Sequence, residues 1–143
     1  MASRSRERAR GLLIKALYQW QLTGHDYDEL IAQYSALAEF GRVDQGYFRD
    51  LLARVLSAAA ELDPVIGEHA DRGLDQVDAV GRGILLLALA ELKFREDVPV
   101  KVVINEAIEL AKRYGAADSY RFVNAVLDKA AKALRPTADV ANG

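Results

Sequence analysis

Val98-Pro-Val-Lys-Val-Val-Ile-Asn-Glu-Ala-Ile-Glu-Leu-Ala-Lys-Arg-Tyr-Gly115, continued by Ala116-Ala-Asp-Ser-Tyr-Arg-Phe-Val-Asn-Ala-Val-Leu-Asp128, is the stretch whose reading decides the fold. It divides into two amphipathic helices around a punctuated turn. Pro99 suits a first helical turn, where a missing N–H costs nothing. Gly115, just past Tyr114, is placed for a left-handed C-terminal cap. Asp118 or Ser119 can cap the next helix by accepting from its free N–H groups. At about 100° per residue, Val100, Val103, Ile104, Ala107, Leu110, Ala111 and Tyr114 share one face, opposite Lys101, Asn105, Glu109 and Lys112. In the second helix Val123, Val126, Leu127, Ala130 and Leu134 form the apolar face, and Arg121, Asp128 and Lys132 lie away from it. Phe122 falls at the margin of that stripe. There a ring either finishes a core, the commoner outcome, or offers its face to a ligand.

Working outward, the segment before this pair is apolar nearly all round. Ile84-Leu-Leu-Leu-Ala-Leu-Ala90 lies in a run of about 16 residues, too long for a buried strand, and predicts a helix covered on most sides. Gly81 and Gly83 weaken its start by about 1 kcal/mol each relative to Ala, and fit close approach by a neighbour. Glu91, acidic in this setting, is expected at an exposed edge or paired with a structural cation. Upstream, a first helix runs from Ser3 or Ser5 to Gly24, with Leu13, Ala16, Leu17 and Trp20 inward. Tyr18 lies away from that face, above Ile14, so the two make an aromatic–aliphatic pair on polar surface. That suits a contact with a later helix or with a partner equally well. Asp26 or Asp28 opens a second helix to about Glu39, and Phe40-Gly-Arg42 reads as a loop. Asp44 opens a third helix to about Leu62, and Asp63-Pro64 signals a new cap and a short fourth helix to about Asp71. The elements add up to an all-α chain of about seven helices. They form one helical domain over residues 1–135, and the small polar tail 136–143 is expected to be disordered.

The chain has 143 residues, enough for a sizeable core, with 51% apolar and 28% charged residues. It has no Cys, which excludes disulfides, thiol catalysis and Cys-based zinc sites. His25 and His69 lack metal-ligand spacing, so no metal and no cofactor is expected. No phosphate loop, dinucleotide fingerprint or nucleophile elbow occurs, which argues against an enzyme and leaves no catalytic residue to name. Lys15 interrupts the apolar run Leu12–Ile14 before a signal-peptide core forms, and no segment has the length of a membrane span. The net charge of −2 is unevenly placed. Arg4, Arg6, Arg8 and Arg10 against Glu7 give the first ten residues a net +3. A basic arm on an acidic body points to a localised polyanion contact. From the residues alone, the chain reads as an all-helical binding module.

Five blocks carry a family likeness: Ala16-Leu-Tyr-Gln-Trp-Gln21, Tyr47-Phe-Arg-Asp-Leu-Leu52, Val98-Pro-Val-Lys101, Ile104-Asn-Glu-Ala-Ile-Glu-Leu-Ala-Lys112 and Phe122-Val-Asn-Ala-Val-Leu-Asp128. In this order, spanning residues 6 to 136, they resemble the bacterial transcription antitermination factors of the NusB family. The resemblance implies two roughly perpendicular helical bundles. It implies a cytoplasmic protein that pairs with NusE, a small-subunit ribosomal protein. The pair would bind boxA-type single-stranded RNA of ribosomal RNA leaders and join the RNA polymerase elongation complex with other Nus factors. By resemblance, RNA contacts map to Arg4, Arg6, Arg8, Arg10, Asp118, Ser119, Arg121 and Phe122, and the NusE face includes Ile14, Tyr18 and position 81. Arginines would hold phosphates and Phe122 would supply a stacking face. The chain departs from the family in having Gly81 where some members carry Glu, Ala90 where many have Tyr, and Glu7 within the arginine arm. The competing expectations are a protein–protein adaptor without RNA affinity of its own, or a stand-alone relative of the RNA-targeting domain of a ribosomal RNA methyltransferase.

Overall fold

The computed structural model describes residues 3–136. Among these there are six α-helices and no strand: α1 (Arg4–Thr23), α2 (Tyr27–Ser35), α3 (Gln45–His69), α4 (Ala79–Phe94), α5 (Val100–Tyr114) and α6 (Ser119–Leu134). Two short 3-10 helices, Ala38–Arg42 and Leu74–Gln76, lie in the connections. The expectation for the tail falls almost wholly outside the described residues.

Start signals in the sequence account for most boundaries. The side chains of Ser3, Asp44 and Asp78 accept from the N–H groups of Arg6, Tyr47 and Gly81, satisfying donors that have no partner within the helix. Asp26 and Glu29 form a reciprocal capping box on α2. Gly24 ends α1 at φ 75°, a left-handed conformation that favours glycine.

α4 is the centre. It packs against α1, α3, α5 and α6, and every residue from Gly83 to Leu92 is buried. An apolar surface all round is what a helix with neighbours on all sides requires. On one side of it α1, α2 and α3 pack together, and on the other α5 lies along α6. The faces expected for these last two are the buried ones. Val100, Val103, Ala107, Leu110 and Ala111 line the core from α5, and Val123, Val126, Leu127 and Ala130 from α6.

The expected break at Asp63-Pro64 is absent, and α3 runs through both residues. The Asp63 carboxylate is not free to cap. It accepts from Arg82 Nε and Nη2 at 2.9 and 2.7 Å. Leu62 and Ile66, on either side of the proline, are both buried and continue one stripe. That burial outweighs a lost backbone hydrogen bond. The second helix ends at Ser35 rather than near Glu39, and Phe40 is not a loop residue in solvent. It is buried and meets the Phe48 ring edge-on, with centroids 5.3 Å apart. Gly115 is extended, at φ −88° and ψ 174°. The left-handed residue of that turn is Asp118, at φ 66°. Neither Asp118 nor Ser119 caps α6. Asp118 makes no side-chain cap bond, and the buried Ser119 hydroxyl has no partner. An added Cβ on Gly115 would fall 2.4 Å from Ser119 Oγ and 2.7 Å from the Ala111 carbonyl, so this glycine serves close packing rather than left-handedness.

The C-terminus of α4 is capped from outside its own segment. Arg135, directly after α6, is buried and donates to the carbonyls of Glu91, Leu92, Arg95 and Val98. One guanidinium thus satisfies the Leu92 carbonyl, which the helix end leaves unpaired, and adds a second donor to the carbonyls of Glu91 and Arg95.

Candidate nucleic-acid interface

The arginine arm forms the first turns of α1, and helical phase divides it. Arg4 and Arg8 are exposed, Arg6 is half-buried and Arg10 is buried, at 1% exposure. Residues four apart share a face, and residues two apart lie on nearly opposite ones. Arg10 is therefore an internal residue and not a contact in the state described. Its Nη2 and Nε donate to Glu91 Oε2 at 2.9 and 3.0 Å. The Tyr47 hydroxyl donates to the same oxygen, and Arg10 Nη1 reaches Glu106 at 3.4 Å. Burial pulls the Arg10 pKa down, but Glu91 outweighs it, and the guanidinium is held charged. The Tyr47 hydroxyl is pushed well above its ordinary value by burial and by the same carboxylate. Glu91 is thus paired with a structural cation, one of the two outcomes expected of it. Arg6 lies over the Tyr47 ring, 4.3 Å from its centroid, and pairs with Asp44 and Asp97 at 3.5 and 3.4 Å. Arg95 donates to Asp97 and holds its carboxyl below the usual range.

The outward residues form one line. Arg4, Arg8, Gly11, Lys15, Tyr18 and Leu22 recur at steps of four and three along α1, the spacing of a single helical stripe. Tyr18 is 43% and Leu22 64% exposed. Ile14, expected beside Tyr18 at the surface, is buried at 3% exposure. α1 is covered by α2, α3 and α4, so its buried face is wider than the narrow stripe expected, and Tyr18 stands without Ile14. Leu22 escaped the sequence reading, although its four-residue spacing from Tyr18 was a sufficient signal.

Arg4, Arg8 and Lys15 wall a cleft of about 650 Å³, faced by Arg42 and by Arg113 and Tyr114 at the end of α5. Glu7, Glu39, Glu106 and Glu109 line the same cleft, and burial raises the Glu106 carboxyl. The turn that follows leads into a groove of about 300 Å³, lined by Ala116, Asp118, Ser119 and Phe122 and, across it, by Gly81. The end of α5 thus lines the cleft, and the turn that follows it lines the groove. Gly81, expected on the partner face, shares a groove with Asp118, Ser119 and Phe122, while Tyr18 lines neither site. The Gly81 N–H donates to Asp78 at 2.8 Å, and an added Cβ would lie 2.7 Å from that oxygen. A side chain at position 81 therefore requires the Asp78 carboxylate to shift. Arg121 is exposed beside Tyr120, whose hydroxyl accepts from it. Phe122 is half-buried, and the Arg72 guanidinium covers it at 4.2 Å from the ring centroid. Among the described residues no group of His, Asp and Glu is placed to hold a metal ion, and no helix is long and apolar enough to cross a membrane.

A family model, described as the NusB family, matches residues 7–132. The transcription antitermination protein NusB of Proteus mirabilis is 47% identical over 135 residues, which cover 94% of this chain and 98% of that protein. The protein of the same name from Escherichia coli is 47% identical over 136 residues, 95% and 98% of the two chains. Among solved structures, T. maritima NusB superposes with a TM-score of 0.79 at 33% identity, covering 92% of this chain and 93% of that one. A chain from the crystal structure of antitermination factors NusB and NusE in complex with dsRNA superposes with a TM-score of 0.76 at 26% identity, covering 92% and 99%.

Proposed function

The chain belongs to the NusB family, and from that premise we propose that it acts as a transcription antitermination factor. In this reading it pairs with NusE and binds boxA-type RNA of ribosomal RNA leaders. The pair then joins the RNA polymerase elongation complex, in the bacterial cytoplasm. Its work is binding rather than catalysis, in keeping with the relatives' name. The observation that carries the reading is the α5–α6 turn. It links a cleft walled by the free arginines Arg4 and Arg8 to a groove at the start of α6 that holds an aromatic ring. Arginines supply the sequence-independent phosphate attraction, and a groove with aromatic and apolar walls receives splayed bases. Arg4, Arg8, Ser119, Arg121 and Phe122 are the RNA residues of this proposal. Arg6 and Arg10 support the arm from beneath, and Asp118 sets its charge against phosphate. Tyr18, with Leu22 beside it, is the centre of the NusE face.

The test is a fluorescence-anisotropy titration with boxA-like single-stranded RNA and with a duplex of the same sequence, each with and without NusE. Binding that NusE strengthens and salt weakens is the expected result. A preference for the duplex would correct the RNA class. NusE binding with no RNA affinity in any arm would overturn the reading in favour of a protein–protein adaptor.

A further inference from the structure

Phe122 does not stand alone in its groove, because Arg72 lies on one face of its ring. Arg72 belongs to the connection between α3 and α4 and its side chain is 44% exposed. Its ion-pair partner, Asp71, is itself 79% exposed, at 3.3 Å. Such a surface pair holds a guanidinium weakly. The ring 4.2 Å below is a different constraint, since Phe122 is half-buried on α6 and presents a fixed flat surface. Two grooves of about 300 Å³ meet at this stack, and Arg72, Phe122 and Asp118 line both. One adds Arg121, Lys129 and His69, and the other Val77, Ala116 and Ala117. The first thus sets the cations Arg72, Arg121 and Lys129 beside the carboxylates Asp71 and Asp118, and the second has more apolar walls.

We propose that Arg72 is a further RNA-contacting residue, whose guanidinium plane, backed by Phe122, is the surface on which a base stacks. Guanidinium planes stack on bases as aromatic rings do, and they carry a charge that a ring lacks. The order of the stack is then Phe122, Arg72, base, with the neighbouring phosphate toward Arg121 and Lys129. This inference rests on the RNA reading above and adds a residue from the α3–α4 connection to it.

The experiment is anisotropy with boxA-like single-stranded RNA and NusE across a salt series. It compares the parent with Arg72→Ala, Arg72→Lys and Arg8→Ala. Arg72→Ala is expected to weaken binding about tenfold and to change the log–log salt slope by less than the value of about 0.7 for a full phosphate contact, because Arg72 stacks on a base rather than neutralising a phosphate. Arg72→Lys is expected to recover little of the affinity, because it returns the charge without the plane. Melting curves check that each variant is folded. Unchanged or tighter binding by Arg72→Ala would make Arg72 a cover on Phe122 and overturn the proposal, as would full rescue by Lys. Weaker NusE binding by Arg72→Ala without RNA would place the residue on the partner face instead. If Arg72→Ala is neutral while Arg8→Ala weakens binding, this inference fails and the RNA reading stands. If the parent itself binds no RNA, both fall.

Discussion

Arg8 and Arg10 are two residues apart in one helix, and they face opposite physical problems. Arg8 stands in water, where its charge is screened and its side chain keeps its freedom. Arg10 has lost its water entirely and holds Glu91, Tyr47 and Glu106 instead. Arg4 repeats the first case, and Arg6 is an intermediate, laid over Tyr47 with two half-exposed ion pairs. A run of arginines is therefore not one electrostatic object. Two are available to release counterions from a polyanion, and two fix the helix so that the others point outward.

The largest expected effect tests the inward side. Arg10→Ala leaves Glu91 buried without its cation, at a cost of about 3–5 kcal/mol. For a chain of this length that lowers the melting temperature by roughly 10–15 °C. Replacing the whole group, Arg10→Met and Glu91→Leu with Tyr47→Phe, should recover most of the loss, because an apolar cluster needs no compensation for desolvation and leaves no hydroxyl unpaired. A single variant that melts with the parent would show that the pair does no structural work. Tyr18→Asp probes the outward stripe. NusE affinity should fall by about 2 kcal/mol in a calorimetric titration, as for a central aromatic anchor, with the melting curve unchanged. Arg6→Ala should cost about 1 kcal/mol of stability through its ion pairs. It should leave the salt slope of RNA binding alone, whereas Arg8→Ala should do the reverse. It should flatten the slope by about 0.7 and change stability by less than about 0.5 kcal/mol. If Arg6→Ala flattens the slope as much, the division of the arm is wrong. The smallest effect is expected from Asp118→Asn. Asn tolerates the left-handed backbone at φ 66° and removes a charge near the RNA. RNA binding in the anisotropy assay should tighten about twofold, with no shift in melting.

Much of this contrast is legible in the sequence. The faces of α5 and α6, the buried α4 and the cap at Ser3 all follow from apolar period and capping chemistry, which act over a few residues. The phase of Arg10 followed from the same arithmetic, since it lies near the buried side of α1 and four residues from Arg6. Reading the arm as a charge sum concealed it. Other features depend on residues far apart in the chain. Asp63 looks like a cap until Arg82, 19 residues on, takes its carboxylate. Gly115 looks like a left-handed cap until Ser119 and the Ala111 carbonyl crowd it. Phe122 at the edge of an apolar stripe gave no sign of Arg72, which reaches it from the connection between α3 and α4. The competing choices for Ile14 turned on how many helices cover α1, which no pattern within α1 records.

Arg135 carries a consequence for the order of events during synthesis. The carbonyls it satisfies belong to Glu91, Leu92, Arg95 and Val98, all made some 40 residues earlier. Helices generally assemble from the N-terminal side as a chain leaves the ribosome. Here the central helix can be surrounded by α1 and α3 and still have an open end. A chain ended at Leu134 contains every helix and lacks the group that ties the end of α4 to the segment before α5. Once free of the ribosome it should be cut by proteases faster than a chain ended at Arg135, and limited proteolysis of the two released chains would reveal the step.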